Sequence, residues 1–194
     1  MHAHSDLALL TDPAIWPRPR RGSPWRCSAR TGSPTPRSTT APGRLRGQLA
    51  GWNGEPEGLD WSWRSVGEYL DRLDAGPDGR GIRQRRLPGP ARHPAALVLD
   101  WEDRPATAAE LRRMRALLAQ ACEGAVGLSA GLTYSPGMYA DTDELVELCR
   151  GVAEFDGYFC PHHRSYGADA LAAYAETIDI ARRSAVRCTW PTPP

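Results

Sequence analysis

The sequence predicts an α/β fold in which consecutive β/α modules form part of a parallel barrel, interrupted by long irregular segments rich in arginine and proline. Stretches with apolar residues at helical spacing alternate with short apolar runs, and these runs end at polar, glycine-rich loops. One such repeat runs from Gly124 to Gly157, which is the length of a β/α module. Because a complete eight-stranded barrel needs roughly 250 residues, the 194 residues of this chain predict only part of one.

The composition indicates a soluble protein with much irregular chain, since 41% of the residues are hydrophobic and the net charge is +1. All 24 basic residues are arginine, which we interpret as a trace of GC-rich coding. The five cysteines form no Cys-x-x-Cys pair, which argues against a disulfide framework and a zinc ribbon. No apolar run approaches the length of a membrane span, and the N-terminus lacks the order of a signal peptide. We therefore expect a cytoplasmic protein.

The first part of the chain is predicted to hold one helix. Residues 1–13 contain a His-x-His pair, and residues 14–44 are rich in arginine and proline with no apolar periodicity, so we expect the latter to be irregular and disordered. Residues 45–75 are predicted to form a loop and then a helix, with Ser65 and Glu68 as a capping box. The apolar residues at helical spacing are Val66, Tyr69, Leu70 and Leu73.

Residues 76–94 return to the arginine and proline bias and are predicted to be irregular, whereas residues 95–185 are predicted to hold the β/α barrel modules. Ala95 to Leu99 reads as a short apolar strand. A helix follows, with Thr107 and Glu110 as its capping box and a glycine at position 124 to end it. Its apolar face is expected to contain Leu111, Met114, Leu117, Leu118 and Ala121.

A strand, a loop and a helix are predicted next. The strand Ala125–Ser129 leads into the loop Ala130–Ala140, which is rich in Gly, Pro and Tyr. A helix opens with Asp141 and Glu144 and buries Leu145, Leu148 and Val152.

The segment Tyr158–His162 is the next predicted strand, and residues 163–167 are its loop. The last helix is predicted over Ala168–Ser184. Residues 186–194 contain three prolines, so we expect an irregular tail instead of a central strand. The residues of the last helix that we expect to face the core are Leu171, Tyr174, Ile178 and Ala181.

These segments resemble a known family. HAHSDLALLTDP resembles the metal-binding start of the amidohydrolase superfamily, and GAVGLSAGLTYSPGMYADTDELVELCRGVAEFDGYFCPHHRS resembles its N-acyl-D-amino-acid deacylase (D-aminoacylase) branch. GQLAGWNGEPEGLDWSWRSVGEYLDRLD and LDWEDRPATAAELRRMRALLAQA are similar to further pieces of that branch. The arginine and proline segments match nothing in it. We therefore hypothesise that residues 14–44, 76–94 and 186–194 are out-of-frame translation of a GC-rich gene.

The resemblance implies a TIM-type metal-dependent hydrolase barrel that cleaves the amide of small N-acyl-D-amino acids. It implies a zinc ion that lowers the pKa of bound water and polarises the carbonyl, and an aspartate that takes the proton. Residues 1–13 would then be the remnant of the first barrel strand and its loop. No nucleic-acid or membrane partner is expected, because the arginine runs carry no interleaved aromatic pattern and no motif.

The resemblance also implies which residues hold the metal. His2 and His4 match the first-strand His-x-His of the superfamily, and alternate residues of a strand point the same way. His162 and Arg164 match the His-x-Arg motif of the branch, so His162 is the third expected ligand. Asp6 and Arg164 are expected beside the ligands, where Asp6 can orient a histidine.

Simpler interpretations stay open for these residues. A His-x-His near a terminus is by default an incidental exposed pair, and His162 and His163 are by default polar loop residues. Cys160 is better interpreted as a small core residue than as a metal ligand. For Tyr134 and Tyr139, lining a substrate pocket and packing of the loop are equally good alternatives.

Departures from the family limit the expected activity. The resemblance places the next histidine ligand and the general-base aspartate on later strands, past Pro194, and the cysteine ligand of the branch inside the arginine-rich region, where Cys27 lacks the motif. We therefore assign no catalytic residue and expect the isolated chain to be inactive. The alternatives are a degenerate fragment that is no enzyme, and another amidohydrolase of the dihydroorotase or hydantoinase kind, which the GLSAGLTYSPGMYADTDEL block disfavours.

Overall fold

The computed structural model describes residues 10, 57–63, 65–75, 91–92, 94–99, 102–122 and 124–189. Its helices are α1 (Val66–Ala75), α2 (Ala95–Val98), α3 (Ala108–Cys122), α4 (Thr142–Ala153) and α5 (Ala170–Ser184). Its strands are β1 (Ala91–Arg92), β2 (Gly127–Gly131), β3 (Tyr158–His162) and β4 (Arg187–Cys188), and a 3-10 turn spans Gly137–Tyr139. The segment 14–44 lies outside the described residues, so its predicted disorder stays a prediction.

The four strands form one sheet in the order β1-β2-β3-β4, and every neighbouring pair is parallel. The central pair, β2 and β3, is in register over five positions, from Gly127 opposite Tyr158 to Gly131 opposite His162. Because all strands run the same way, their carboxyl ends meet at one edge of the sheet, as in the predicted β/α modules.

One face of the sheet packs against the helices and forms the main core. Leu128, Ala130 and Phe159 lie on this face with 0%, 1% and 0% exposure. Alternate strand residues point to opposite faces. The residues between them on β2 and β3 therefore point away from the helices, which is the geometry that a barrel interior requires. The helix residues of this core include Met114, Leu118, Leu145, Leu148, Val152 and Ile180.

Three of the predicted helix starts are confirmed by their hydrogen bonds, whereas the last helix begins at Ala170 instead of Ala168. At α3, the amide of Thr107 donates to Glu110 Oε2 at 2.8 Å and the amide of Glu110 donates to Thr107 Oγ1 at 3.4 Å, so the capping box is reciprocal. At α4, Asp141 Oδ1 accepts from the amide of Glu144 at 2.8 Å. At α1, Ser65 Oγ accepts from the amide of Glu68 at 3.1 Å.

The predicted strand Ala95–Leu99 is wrong, because Ala95–Val98 is the helix α2. The amide of Leu97 donates to the carbonyl of Pro94 at 3.0 Å, and that of Leu99 donates to Ala95 at 2.8 Å. A short apolar run is equally compatible with a buried helical turn and a strand, so periodicity could not separate them. The strand is the preceding pair Ala91–Arg92, inside the range predicted to be irregular.

The predicted inner face of the last helix is wrong for Leu171 and Ile178, whereas the predicted Ala181 does pack against the core. Leu171 is 83% exposed and Ile178 is 45% exposed, whereas Ile180 is fully buried. Small residues allow a helix to approach its neighbours closely, and a buried hydroxyl can bond a carbonyl of its own helix. Thr177 Oγ1 donates to the carbonyl of Ala173 in this way, at 3.0 Å. The buried residues of α5 are Ala173, Thr177, Ile180 and Ser184.

Two strand boundaries differ from those predicted. β2 begins at Gly127 and ends at Gly131, two residues later than predicted. β4 lies within the tail 186–194 that was predicted to be irregular, and pairs Arg187 with Tyr158 and Cys188 with Phe159. Arg187 and Cys188 come before the prolines of the tail in the sequence. Both residues therefore have a backbone N–H to donate, which a proline lacks.

None of the helices in the described part of the chain is long and apolar enough to cross a membrane.

Candidate functional site at the carboxyl edge of the sheet

The candidate site lies where β2 and β3 end. The alternation along β3 places Phe159 in the core with the helices, so Cys160 and His162 point to the opposite face of the sheet. On β2, Ser129 is the register partner of Cys160, and Gly131 is the partner of His162. His162 is therefore the last residue of its strand, at the carboxyl edge and on the face turned away from the helices, as the sequence predicts.

Two tyrosines surround the imidazole of His162. The hydroxyl of Tyr166 lies 2.9 Å from His162 Nδ1, which is hydrogen-bond distance. The ring of Tyr134 meets the imidazole edge-on, with ring centroids 6.4 Å apart. Tyr134 therefore contributes to the site edge, and its 38% exposure leaves part of the ring at the surface.

His163 points the other way and belongs to the packing behind the site. It is 4% exposed, and its ring lies between Tyr166 and Tyr174, at centroid distances of 4.1 and 4.3 Å. Burial lowers the pKa of His163 below its ordinary value, because the charged imidazolium loses its solvation. The sequence identified His163 only as the neighbour of His162, and strand alternation is the signal that separates their roles.

Arg164 connects the loops around the site. Its Nε lies 3.0 and 2.8 Å from the two carboxylate oxygens of Glu176 on α5. Its terminal nitrogens donate to the carbonyls of Met138, at 2.8 Å, and of Ala140. Glu176 also accepts from the hydroxyl of Thr142 at 2.9 Å. Sequence reasoning identified Arg164 and missed Glu176, because no local pattern shows the partner of a long-range ion pair.

The loop that follows β2 is held against the end of β3. The amide of Leu132 donates to the carbonyl of His162 at 2.9 Å, and that of Met138 donates to the carbonyl of Tyr134 at 2.9 Å. At Gly137, a Cβ atom would lie 3.0 Å from the carbonyl oxygen of Gly131. The close approach at Gly137 therefore favours a residue without a side chain, which keeps the loop next to the site.

The described residues contribute one candidate zinc ligand. Within ranges 57–63, 65–75, 91–92, 94–99, 102–122 and 124–189 there is no group of three His, Cys, Asp or Glu that could hold a metal ion. An imidazole with one nitrogen hydrogen-bonded and the ring at the carboxyl edge fits a single zinc ligand. His2, His4 and Asp6 lie outside the described residues, so their roles, and the ligand set as a whole, stay predictions.

Comparisons with known proteins relate the chain to one branch of enzymes, although no family model matches the sequence. A D-aminoacylase from Alcaligenes xylosoxydans xylosoxydans is 34% identical over 127 residues, which are 65% of this chain and 26% of that protein. An N-acyl-D-glutamate deacylase from the same organism is 31% identical over 188 residues, or 94% of this chain and 36% of the relative. The second alignment therefore extends through most of the arginine- and proline-rich sequence.

Solved structures agree with the sequence matches. A D-aminoacylase described as defining a novel subset of amidohydrolases superposes with a TM-score of 0.71 at 25% identity, over 98% of this chain and 38% of its own. An N-acyl-D-glutamate deacylase from Bordetella bronchiseptica, complexed with zinc and a phosphonate inhibitor that mimics the tetrahedral intermediate, gives 0.60 at 31% identity over 80% and 31%. The chain spans about a third of the length of these proteins. Its sequence and fold are similar to those of N-acyl-D-amino-acid deacylases, one of which is described as defining a subset of amidohydrolases.

Proposed function

We propose that this chain is part of a zinc-dependent amidohydrolase that hydrolyses the amide bond of N-acyl-D-amino acids, with its sheet forming a section of a TIM-type barrel. The placement of His162 carries the proposal, because it stands at the carboxyl edge of a parallel sheet and on the face turned away from the helices. Active sites of parallel barrels lie at that edge. The similarity to deacylases of D-amino acids supports the substrate class.

Each residue of the described site would have a distinct part in this function. When bound, zinc would polarise the scissile carbonyl and lower the pKa of a water molecule. His162 would hold the ion, together with His2 and His4. Tyr134 would line the substrate side of the edge, where its ring already approaches the imidazole. Arg164 would keep the loops after β2 and β3 together, so that the ligand and the pocket wall retain their spacing.

A second candidate function is that the chain is a degenerate fragment that catalyses no hydrolysis and binds another chain. Leu171 and Ile178 of α5 are 83% and 45% exposed, and this apolar surface favours contact with another chain. A cytoplasmic location belongs to both proposals, and the odd number of cysteines, which does not favour a disulfide framework, supports it.

The test combines metal retention with enantiomer-specific hydrolysis. We expect the purified chain to retain zinc after dialysis, and His162→Asn to lose it. Tyr174→Phe is the control, because it keeps the ring that packs against His163 and should not affect zinc retention. Release of free amino acid from N-acetyl-D-glutamate, with none from the L enantiomer, would establish the hydrolase. Absence of both bound zinc and turnover would favour the second function, and zinc retained equally by His162→Asn would contradict the role of His162.

A further inference from the structure

We infer that Tyr166 is a positioning residue, whose oxygen accepts a hydrogen bond from Nδ1–H of His162 and thereby presents the lone pair of Nε2 to the inner edge of the site. This inference rests on the proposed function where it concerns zinc. The tautomer itself is a property of the protein alone.

The geometry of the pair supports this assignment. The hydroxyl oxygen of Tyr166 lies 2.9 Å from Nδ1, so Nδ1 is the ring nitrogen that takes part in this bond. A phenol both donates and accepts, whereas a neutral imidazole donates from one nitrogen and accepts at the other. Because Tyr166 is 58% exposed, its own O–H can donate to water while its oxygen accepts from Nδ1–H. Metal-binding histidines commonly donate their other ring N–H in this way.

Packing behind the site holds Tyr166 in place. Its ring packs against His163 at a centroid distance of 4.1 Å and a tilt of 37°, and His163 in turn packs against Tyr174 of α5 at 4.3 Å and 36°. The amide of Gly167 also donates to Ser165 Oγ at 3.2 Å, which tightens the turn that carries the tyrosine. The three packed rings therefore connect the orientation of His162 to the buried side of the helix layer.

Imidazole nitrogen chemical shifts test the tautomer directly. We would label the histidines with ¹⁵N, assign His162 by its loss in His162→Asn, and record long-range ¹H–¹⁵N spectra with the imidazoles neutral. We expect the Nδ1–H pattern in the wild-type chain and a shift toward Nε2–H in Tyr166→Phe. Tyr174→Phe removes the same hydroxyl elsewhere among the packed rings and should leave His162 unchanged. An Nε2–H pattern in the wild type, or no change in Tyr166→Phe, would overturn the inference.

A zinc titration without any substrate separates this inference from the proposed function. In competition with a chromophoric chelator, we expect Tyr166→Phe to bind zinc about tenfold more weakly than wild type or Tyr174→Phe. Equal affinity in all three proteins would overturn the inference. The expected tautomers without zinc binding in any protein would support the hydrogen bond and overturn the metal-dependent function instead.

Discussion

The guanidinium of Arg164 and the carboxylate of Glu176 form an ion pair, in which the single N–H of Arg164 Nε is shared between the two oxygens at 3.0 and 2.8 Å. The same guanidinium donates to the carbonyls of Met138 and Ala140, in the loop that follows β2. One side chain thus joins that loop, the loop after β3 and α5. We interpret these bonds of Arg164 as the main polar contacts that stabilise the site edge.

Because Arg164 makes all these bonds, even a conservative substitution of it should destabilise the protein. A lysine keeps the charge but has no planar fork, so Arg164→Lys cannot satisfy the carboxylate and both carbonyls together. We expect it to lower the free energy of unfolding by about 2 kcal/mol, measured by urea denaturation. Arg150→Lys is the control, because Arg150 pairs with Glu147 from a half-exposed position and should lose less than about 0.5 kcal/mol. Equal losses would contradict the special role of Arg164.

Gly127 is expected to be intolerant of a side chain. A Cβ atom at this position would lie 2.0 Å from the carbonyl oxygen of Tyr158, on the neighbouring strand. Neither backbone can move away without breaking the pairing of β2 and β3. We expect Gly127→Ala to cost about 3 kcal/mol, visible as a lower midpoint in thermal or urea unfolding.

A second glycine provides the matched control for this prediction. Gly67 lies in α1, and a Cβ atom there would meet only Ser65 Oγ at 3.7 Å, an ordinary contact. Since alanine favours a helix over glycine, Gly67→Ala should raise the stability of the protein by about 0.5 kcal/mol. A Gly127→Ala protein as stable as Gly67→Ala would show that the two strands are not in contact as described.

The orientation of α5 can be tested with two apolar residues of nearly equal size. Ile180 is fully buried and Leu171 is 83% exposed. Ile180→Ala should lower the free energy of unfolding by about 3 kcal/mol, because it opens a cavity between α5 and the core. Leu171→Ala should change it by less than about 0.5 kcal/mol. A larger loss of stability in Leu171→Ala than in Ile180→Ala would indicate that the face predicted from the sequence packs against the core.

The sequence predicted those elements whose signals are local. The segment Tyr158–His162 is an isolated apolar run between a glycine and a polar loop, and the structure has the same strand. The starts of α3 and α4 were predictable because a cap needs only residues three positions apart, as with Asp141 and Glu144.

Other features depend on neighbours that the sequence does not show. On α5, Leu171 and Ile178 were placed in the core, but the structure buries Ile180 and the smaller Ala173, Thr177 and Ser184, with Thr177 bonding its own backbone. At the site, strand alternation predicted the direction of His162. Tyr166 and Glu176 were not predicted, because each acts through a contact across a loop or between elements. The predicted histidines near the N-terminus lie outside the described residues.

Glu144 provides a prediction about pH. It is 3% exposed, and burial raises its pKa above the ordinary value of 4.5, although the amide of Ala106 donates to its Oε2 at 2.8 Å. The folded state therefore holds the proton more tightly than the unfolded state, and this contribution to stability is lost as the pH rises from 4.5 through the raised value. Glu144→Gln retains an acceptor for Ala106 and cannot titrate.

By urea denaturation from pH 4 to pH 7.5, we expect wild type to lose stability relative to Glu144→Gln as the pH rises. Val146→Ala, a neutral core change on the same helix, should differ from wild type by a constant amount across this range, and a constant difference for Glu144→Gln as well would contradict the prediction.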